Sequence, residues 1–283
     1  SFQPSNPIDF VLRSAPLPDR LKSGALMWTA KDPKGLDIRP LSFSPDGKYI
    51  ASANSGREIK IWKAEDGSLI KTIEAGSIGT ISFSPDGGHI ASSYWNAVII
   101  WKAADGTMER IFKVAGADEW INSLSFSPDG KYIAAASSDT IILLKAADGK
   151  IVRMIRDSGF VMAAVFSPDG RYIASTNRNH TVNLWKTAND SFARTVKGVI
   201  PIGNVSNPLS FSPDGKLLAT GGHSGEINLW KVEDGSLAMT LEGHTENVVS
   251  VAFSPDGKRL ASGGFDNTIK LWNTEAGTLL KTL

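Results

Sequence analysis

Short apolar runs separated by polar turns recur along the chain, and their alternation has the two-residue period of strands rather than the spacing of an amphipathic helix. Tyr49-Ile50-Ala51-Ser52 is one such run, and an alternating run after it ends at Trp62. The same arrangement leads to Trp101, Leu144, Trp185, Trp230 and Trp272. A polar turn follows, such as Ala64-Glu65-Asp66-Gly67 or Val232-Glu233-Asp234-Gly235, and then a last short run such as Ser68 to Ile73 or Leu237 to Leu241. The chain therefore reads as strands joined by tight turns.

One phrase sets the period. Phe-Ser-Pro-Asp-Gly begins at Phe43, Phe83, Phe126, Phe166, Phe211 and Phe253, at intervals of 40 to 45 residues, and such a period marks an array of like units. Proline fixes φ and glycine supplies a left-handed residue, so the phrase predicts a hairpin turn that pins the register of the flanking strands. Each unit is predicted to be a four-stranded meander. A single sheet of this kind exposes two apolar faces; stacked neighbours bury them, and closure into a ring replaces capping units.

In the last unit Gly243-His244, Phe253-Ser254-Pro255-Asp256-Gly257, Ala261-Ser262-Gly263-Gly264, Asp266 and Leu271-Trp272 together resemble one complete WD40 repeat. The resemblance covers residues 41–283 and implies an all-β propeller of four-stranded antiparallel blades, the first strand of each lining a central channel and the fourth lying on the rim. Residues 1–283 are expected to form a single domain, with six regular repeats over 41–283 and a degenerate closing segment over 1–40. That segment lacks the phrase, yet Gly24-Ala25-Leu26-Met27-Trp28 is similar to the third strand that ends in tryptophan, and Ile8 to Leu12 reads as another strand. Only 15 residues separate Trp28 from Phe43, too few for a fourth strand where the other units use 21 to 26. Seven blades, one of them incomplete, is the reading adopted; six blades with an N-terminal strap is the alternative.

Composition narrows the partner and the chemistry. Lysine plus arginine, 30, nearly cancel aspartate plus glutamate, 29, so no global field draws the chain to nucleic acid or an anionic membrane. The longest apolar run, Phe160 to Phe166, has seven residues against the roughly 20 that cross a bilayer, and no membrane insertion is expected. Absence of cysteine excludes disulfides, thiolate ligands and cysteine nucleophiles, and leaves the compartment open. Ser1 opens a polar stretch with neither the basic nor the apolar region of a secretion signal.

The resemblance further implies a buried hydrogen-bond network of a histidine, a strand serine, a turn aspartate and the third-strand tryptophan. His244, Ser262, Asp266 and Trp272 supply all four in the last repeat. Elsewhere the histidine position holds Lys34, Glu74, Ala117, Asp157 and Ile202, the aspartate position holds Gly56, Asn179 and Ser224, and Leu144 has lost the indole. Those blades are expected to rely more on packing. A hydrolase reading of Ser, His and Asp is rejected, because the set matches a structural motif and no Gly-x-Ser-x-Gly element accompanies it. The six Pro-Asp-Gly aspartates are expected to form turns that ring symmetry keeps apart rather than to bind metal. His89, which stands where other repeats carry Tyr49, Tyr132 and Tyr172, is expected on a strand surface. No cofactor and no metal are expected.

Function is expected on the loops. In the implied architecture the loops leading into the first strand and the turns between the second and third strands emerge together on the top face. Counting from the phrase and from the aspartate position puts Trp120, Phe160, Arg178, His223 and Phe265 there, and the second repeat adds Tyr94 and Trp95. Five of the eight tryptophans belong to third strands, whereas Trp95 and Trp120 do not. Aromatic rings and arginine dominate binding surfaces. The sequence thus predicts a non-catalytic scaffold that binds another protein or a peptide segment through an aromatic top face. A sensory or regulatory module of a larger signalling protein is the alternative. A channel-based enzyme is a weaker one, since four scattered histidines and turn-bound aspartates do not converge. The oligomeric state is left open.

Overall fold

Alternating runs cut by Pro-Asp-Gly turns produce strands throughout. The computed structural model describes residues 38–54, 57–114, 120–179, 181–188, 192–197 and 208–282, and within them 24 strands form six four-stranded antiparallel sheets with no helix. Blade 1 holds β1 (Ile38–Phe43), β2 (Tyr49–Asn54), β3 (Glu58–Lys63) and β4 (Leu69–Glu74). Blade 2 holds β5 (Ile81–Phe83), β6 (His89–Tyr94), β7 (Ala97–Lys102) and β8 (Met108–Lys113). Blade 3 holds β9 (Ile121–Phe126), β10 (Tyr132–Ser137), β11 (Thr140–Lys145) and β12 (Ile151–Arg156). Blade 4 holds β13 (Val161–Phe166), β14 (Tyr172–Asn177), β15 (Thr181–Lys186) and β16 (Phe192–Lys197). Blade 5 holds β17 (Leu209–Phe211), β18 (Leu217–Gly221), β19 (Ile227–Lys231) and β20 (Leu237–Leu241). Blade 6 holds β21 (Val248–Phe253), β22 (Arg259–Gly264), β23 (Ile269–Asn273) and β24 (Thr278–Thr282). Strand order follows the chain in every sheet, and the meanders succeed one another around a propeller ring. The incomplete blade expected at Ile8 to Leu12 and Gly24 to Trp28 lies outside the described residues.

The recurring phrase is a self-contained turn. In blade 1 the Gly47 N–H (φ 70) donates to the Ser44 carbonyl at 2.9 Å, while the Ser44 hydroxyl accepts from the Tyr49 N–H at 2.9 Å and donates to Asp46 Oδ1 at 2.6 Å. The serine-to-aspartate bond recurs in all six blades. The serine hydroxyl, then the backbone N–H two residues on, hold the carboxyls of Asp46, Asp86, Asp129, Asp214 and Asp256 below the ordinary carboxylate range. Contrary to expectation, successive turns touch: a Cβ on Gly130 would lie 3.7 Å from Pro85 Cδ, and one on Gly170 3.6 Å from Pro128 Cδ. They are close because neighbouring first strands run side by side, bridged by bonds such as Ala164 N–H to Ser123 Oγ at 3.2 Å. The aspartates still turn onto their own serines, and among the described residues no group of three or more His, Asp or Glu is placed to hold a metal ion.

Five apolar clusters fill the five junctions between consecutive blades. The third strands of blades 2 to 5 each serve two of them. Ile59 and Ile61 of β3 face blade 2, whose Trp101 points back at them; Val98 and Ile100 face blade 3 and its Leu144. The pattern repeats through Ile227 and Leu229, which meet Trp272 of blade 6. In blade 6 the corresponding Ile269 and Leu271 are only half-buried, whereas their five counterparts are buried. No sixth cluster joins blade 6 to blade 1 among the described residues. Blade 1 buries the side that faces away from blade 2, with Trp62 beside a Lys60–Glu58 ion pair at 3.2 Å.

Two glycines of blade 3 separate backbone strain from packing. Gly130 and Gly149 have nearly the same φ, 71 and 69, but a Cβ on Gly149 would overlap the Phe112 ring of the preceding blade. Gly130→Ala should cost about 1 kcal/mol, the left-handed penalty alone. Gly149→Ala should cost about 2–4 kcal/mol because Phe112 must also be displaced. Urea unfolding of the two variants measures the difference; equal losses would show that the junction yields freely.

Candidate functional site

A buried indole N–H needs an acceptor, and the adjacent strand supplies one. Trp62 donates to Ser52 Oγ at 2.8 Å, Trp101 to Ser92 at 2.8 Å, Trp185 to Ser175 at 2.9 Å, Trp230 to Thr220 Oγ1 at 2.9 Å and Trp272 to Ser262 at 2.8 Å. In blade 3 the indole is replaced by Leu144 and the hydroxyl by Ala135, both fully buried. Donor and acceptor are lost together, which strands neither.

In blade 6 the bond continues to the top of the ring. Ser262 Oγ lies 2.7 Å from His244 Nε2, and His244 Nδ1 lies 2.8 Å from Asp266 Oδ2. The indole can only donate, so Ser262 accepts from it and turns its own proton to Nε2; Nδ1–H then donates to the carboxylate. This order requires a neutral imidazole. Burial accordingly lowers the His244 pKa, against the pull of Asp266. Burial pushes the Asp266 carboxyl up, but hydrogen bonds from Thr268, His244 and the Thr245 N–H outweigh it and hold the group at about 2. Ser262 and His244 are both buried, and the hydroxyl is committed on both sides, so no carbonyl substrate reaches it.

Blade 4 carries a second network that the sequence reading assigned to packing. Asp157 occupies the histidine position, and its carboxylate accepts from the Ser175 hydroxyl, from Asn177 Nδ2 at 2.7 Å and from Asn183 Nδ2 at 2.6 Å. A carboxylate replaces the imidazole because asparagines bring donors where blade 6 brings an acceptor. The signal was the joint presence of Asp157, Asn177 and Asn183.

The top-face aromatics divide by blade. Trp95 and Asn96 form the two-residue turn between β6 and β7, with Tyr94 opposite Ala97. Trp95 has φ 51, in the left-handed region that a bulky side chain avoids. Its carbonyl accepts the Ile121 N–H at 3.0 Å, which brings the start of β9 alongside and stacks Trp120 on Trp95, with centroids 4.6 Å apart and planes 27° apart. The pair stays 53% and 37% exposed. Together with Tyr94, Ala97, Ile111 and Lys113 it lines a groove of about 720 Å3 at the outer top corner of blade 2. Tyr94 rests its ring on Gly76, where a Cβ would come within 3.1 Å.

The remaining candidates lie elsewhere. Phe160 is half-buried beneath the Arg178 guanidinium, 4.2 Å from the ring centroid, on blade 4. His223 is exposed on blade 5 and Phe265 on blade 6. Ile111 and Lys113 were not singled out from the sequence, because an outer strand reads as an ordinary alternating run; counting β7–β8 register back from the turn would have found them. His89 is partly exposed as expected, with Nε2 2.9 Å from Glu109 Oε2, which Arg110 also binds at Oε1.

A family model described as "WD domain, G-beta repeat" matches residues 108–144, 149–186, 206–231 and 235–273. A second, "Anaphase-promoting complex subunit 4 WD40 domain", matches residues 18–96. No curated protein matches the chain.

The blade 6 network makes stability acid-sensitive in two steps. His244 titrates below its ordinary 6.5, so the unfolded chain takes up a proton first and stability falls as pH drops below about 6.5. Asp266 adds stability that is fully present above its ordinary 3.8 and is lost as pH falls towards about 2. Asp266→Ala should cost roughly 1–3 kcal/mol at neutral pH by stranding buried donors, a difference that shrinks below pH 4. Denaturant titrations of both proteins across this range measure it; a difference independent of pH would exclude the ionised carboxylate as its source.

Proposed function

Since the chain belongs to the WD40-repeat propeller family, whose rings generally serve as interaction scaffolds and are typically not enzymes, we propose that it is a non-catalytic scaffold holding a partner protein or peptide against the blade 2 groove. The stacked, exposed Trp95–Trp120 pair carries the reading. Neither ring belongs to an apolar cluster between blades, and Trp95 keeps a backbone conformation that glycine would adopt at lower cost. Ser138 holds the same conformation in the two-residue turn of blade 3, so the turn sets the backbone and the exposed tryptophan is what distinguishes blade 2. The groove is lined mainly by apolar atoms with one charged side chain, the composition expected for a contact centre. Phe160 with Arg178, His223 and Phe265 extend the surface across blades 4, 5 and 6 for a partner wide enough to span the top.

The test pairs Trp95→Gly with Trp120→Ala. Loss of stacking, about 1 kcal/mol, is offset by relief of the left-handed residue, so the melting temperature should change little. A partner recovered with the wild-type protein should bind the double variant at least about 2 kcal/mol more weakly. Phe265→Ala should have a smaller effect. Equal affinity for wild type and double variant would overturn the reading.

A further inference from the structure

Resting on that reading, we infer that the groove takes an extended peptide strand, docked along the outer edge of β8, with an apolar side chain two residues from an acidic one. Three observations carry the inference. First, β8 is the outermost strand of blade 2, and none of the described strands pairs with its outer edge, so a row of N–H and C=O groups faces outward. Second, Ala97, Ile99, Ile111 and Lys113 share one face of the sheet, because Ala97 pairs with Lys113 and Ile99 with Ile111. Ile111 is 57% exposed and forms the floor of the groove below the tryptophans. Third, Lys113 is the one ionisable cation in the lining, is exposed, and has no carboxylate within ion-pair distance among the described residues.

A strand added to β8 places its own side chains on that face at every second residue, whichever way it runs. The residue beside Ile111 and the tryptophans lies in apolar surroundings, and the residue beside Lys113 meets its positive charge. The complement is therefore an aromatic or long aliphatic residue, one intervening residue, and Asp or Glu. This locates binding at the rim corner and not over the central channel.

The experiment pans a random-peptide phage library against the folded chain, with Trp95→Gly/Trp120→Ala and Lys113→Glu variants of matched melting temperature alongside. Enriched peptides should carry the apolar and acidic residues two apart and be lost on the double tryptophan variant. Lys113→Glu should weaken a synthetic enriched peptide by about fivefold and shift selection towards Lys or Arg at the acidic position. N-methylation of one alternate set of peptide amides should weaken binding about tenfold, and of the other set hardly at all. Tryptophan-dependent peptides with no acidic preference, or an equal effect of both N-methyl sets, would overturn the strand-and-charge inference while leaving the groove as the binding site. No enrichment, or enrichment indifferent to the tryptophans, would overturn both.

Discussion

Burial between blades is the constraint to which the rest of the structure answers. A four-stranded sheet has two apolar faces and covers neither by itself. Here a single strand feeds two junctions: in β7, Val98 and Ile100 face forward while Ile99 and Trp101 face back. The third strand of blade 2 is consequently apolar on both faces, with the indole N–H as its one buried polar side-chain group, whereas in other blades the tryptophan's face also buries Lys60, Asn183, Asn228 or Lys270. The indole N–H is satisfied within its own sheet. Ser52, Ser92, Ser175, Thr220 and Ser262 answer this need, and the joint replacement by Leu144 and Ala135 is the other solution open to a buried pair.

The same logic explains the variation among blades. Once the indole bond is made, the hydroxyl has a proton left, and whatever sits above it must accept that proton. An imidazole does so in blade 6 and a carboxylate in blade 4, each supported by groups of opposite character: Asp266 accepts from His244, whereas Asn177 and Asn183 donate to Asp157. These are alternative fillings of one slot and not degrees of decay from a single pattern. Their shared effect is to fasten the loop before the first strand to the blade beneath it.

Much of the fold was legible because its determinants are local. The Ser-Pro-Asp-Gly turn closes on its own atoms, and the strand lengths between phrases leave little choice of register. What escaped depends on which strands become neighbours. The contact of Gly149 with Phe112 and that of Gly130 with Pro85 join different blades. Trp95 and Trp120 were found as residues without a strand role, but their stacking depends on a hydrogen bond from Ile121 to the Trp95 carbonyl across a blade junction. Ile111 and Lys113 escaped for the opposite reason: their pattern is that of any rim strand, and only the register with β7 brings them under the tryptophans.

The location of the groove follows from how the ring spends its polar groups. Towards the axis, first strands lie side by side and their serines bond to the next blade, as Ser42 does to Phe83 N–H at 3.0 Å and Ser123 to Ala164 N–H at 3.2 Å. Hydroxyls used in this way hold the ring together and are not available to a ligand. On the bottom, the aspartates are committed to their own turns. The outer top corner of a blade is different, because no described strand pairs with the outer edge of the fourth strand. Blade 2 fills that corner with two tryptophans, one held in left-handed backbone, and with Lys113 beside an exposed isoleucine. Apolar area, a sheet edge that no described strand covers and a positive charge meet at this corner, which is why we propose recognition there and not at the channel.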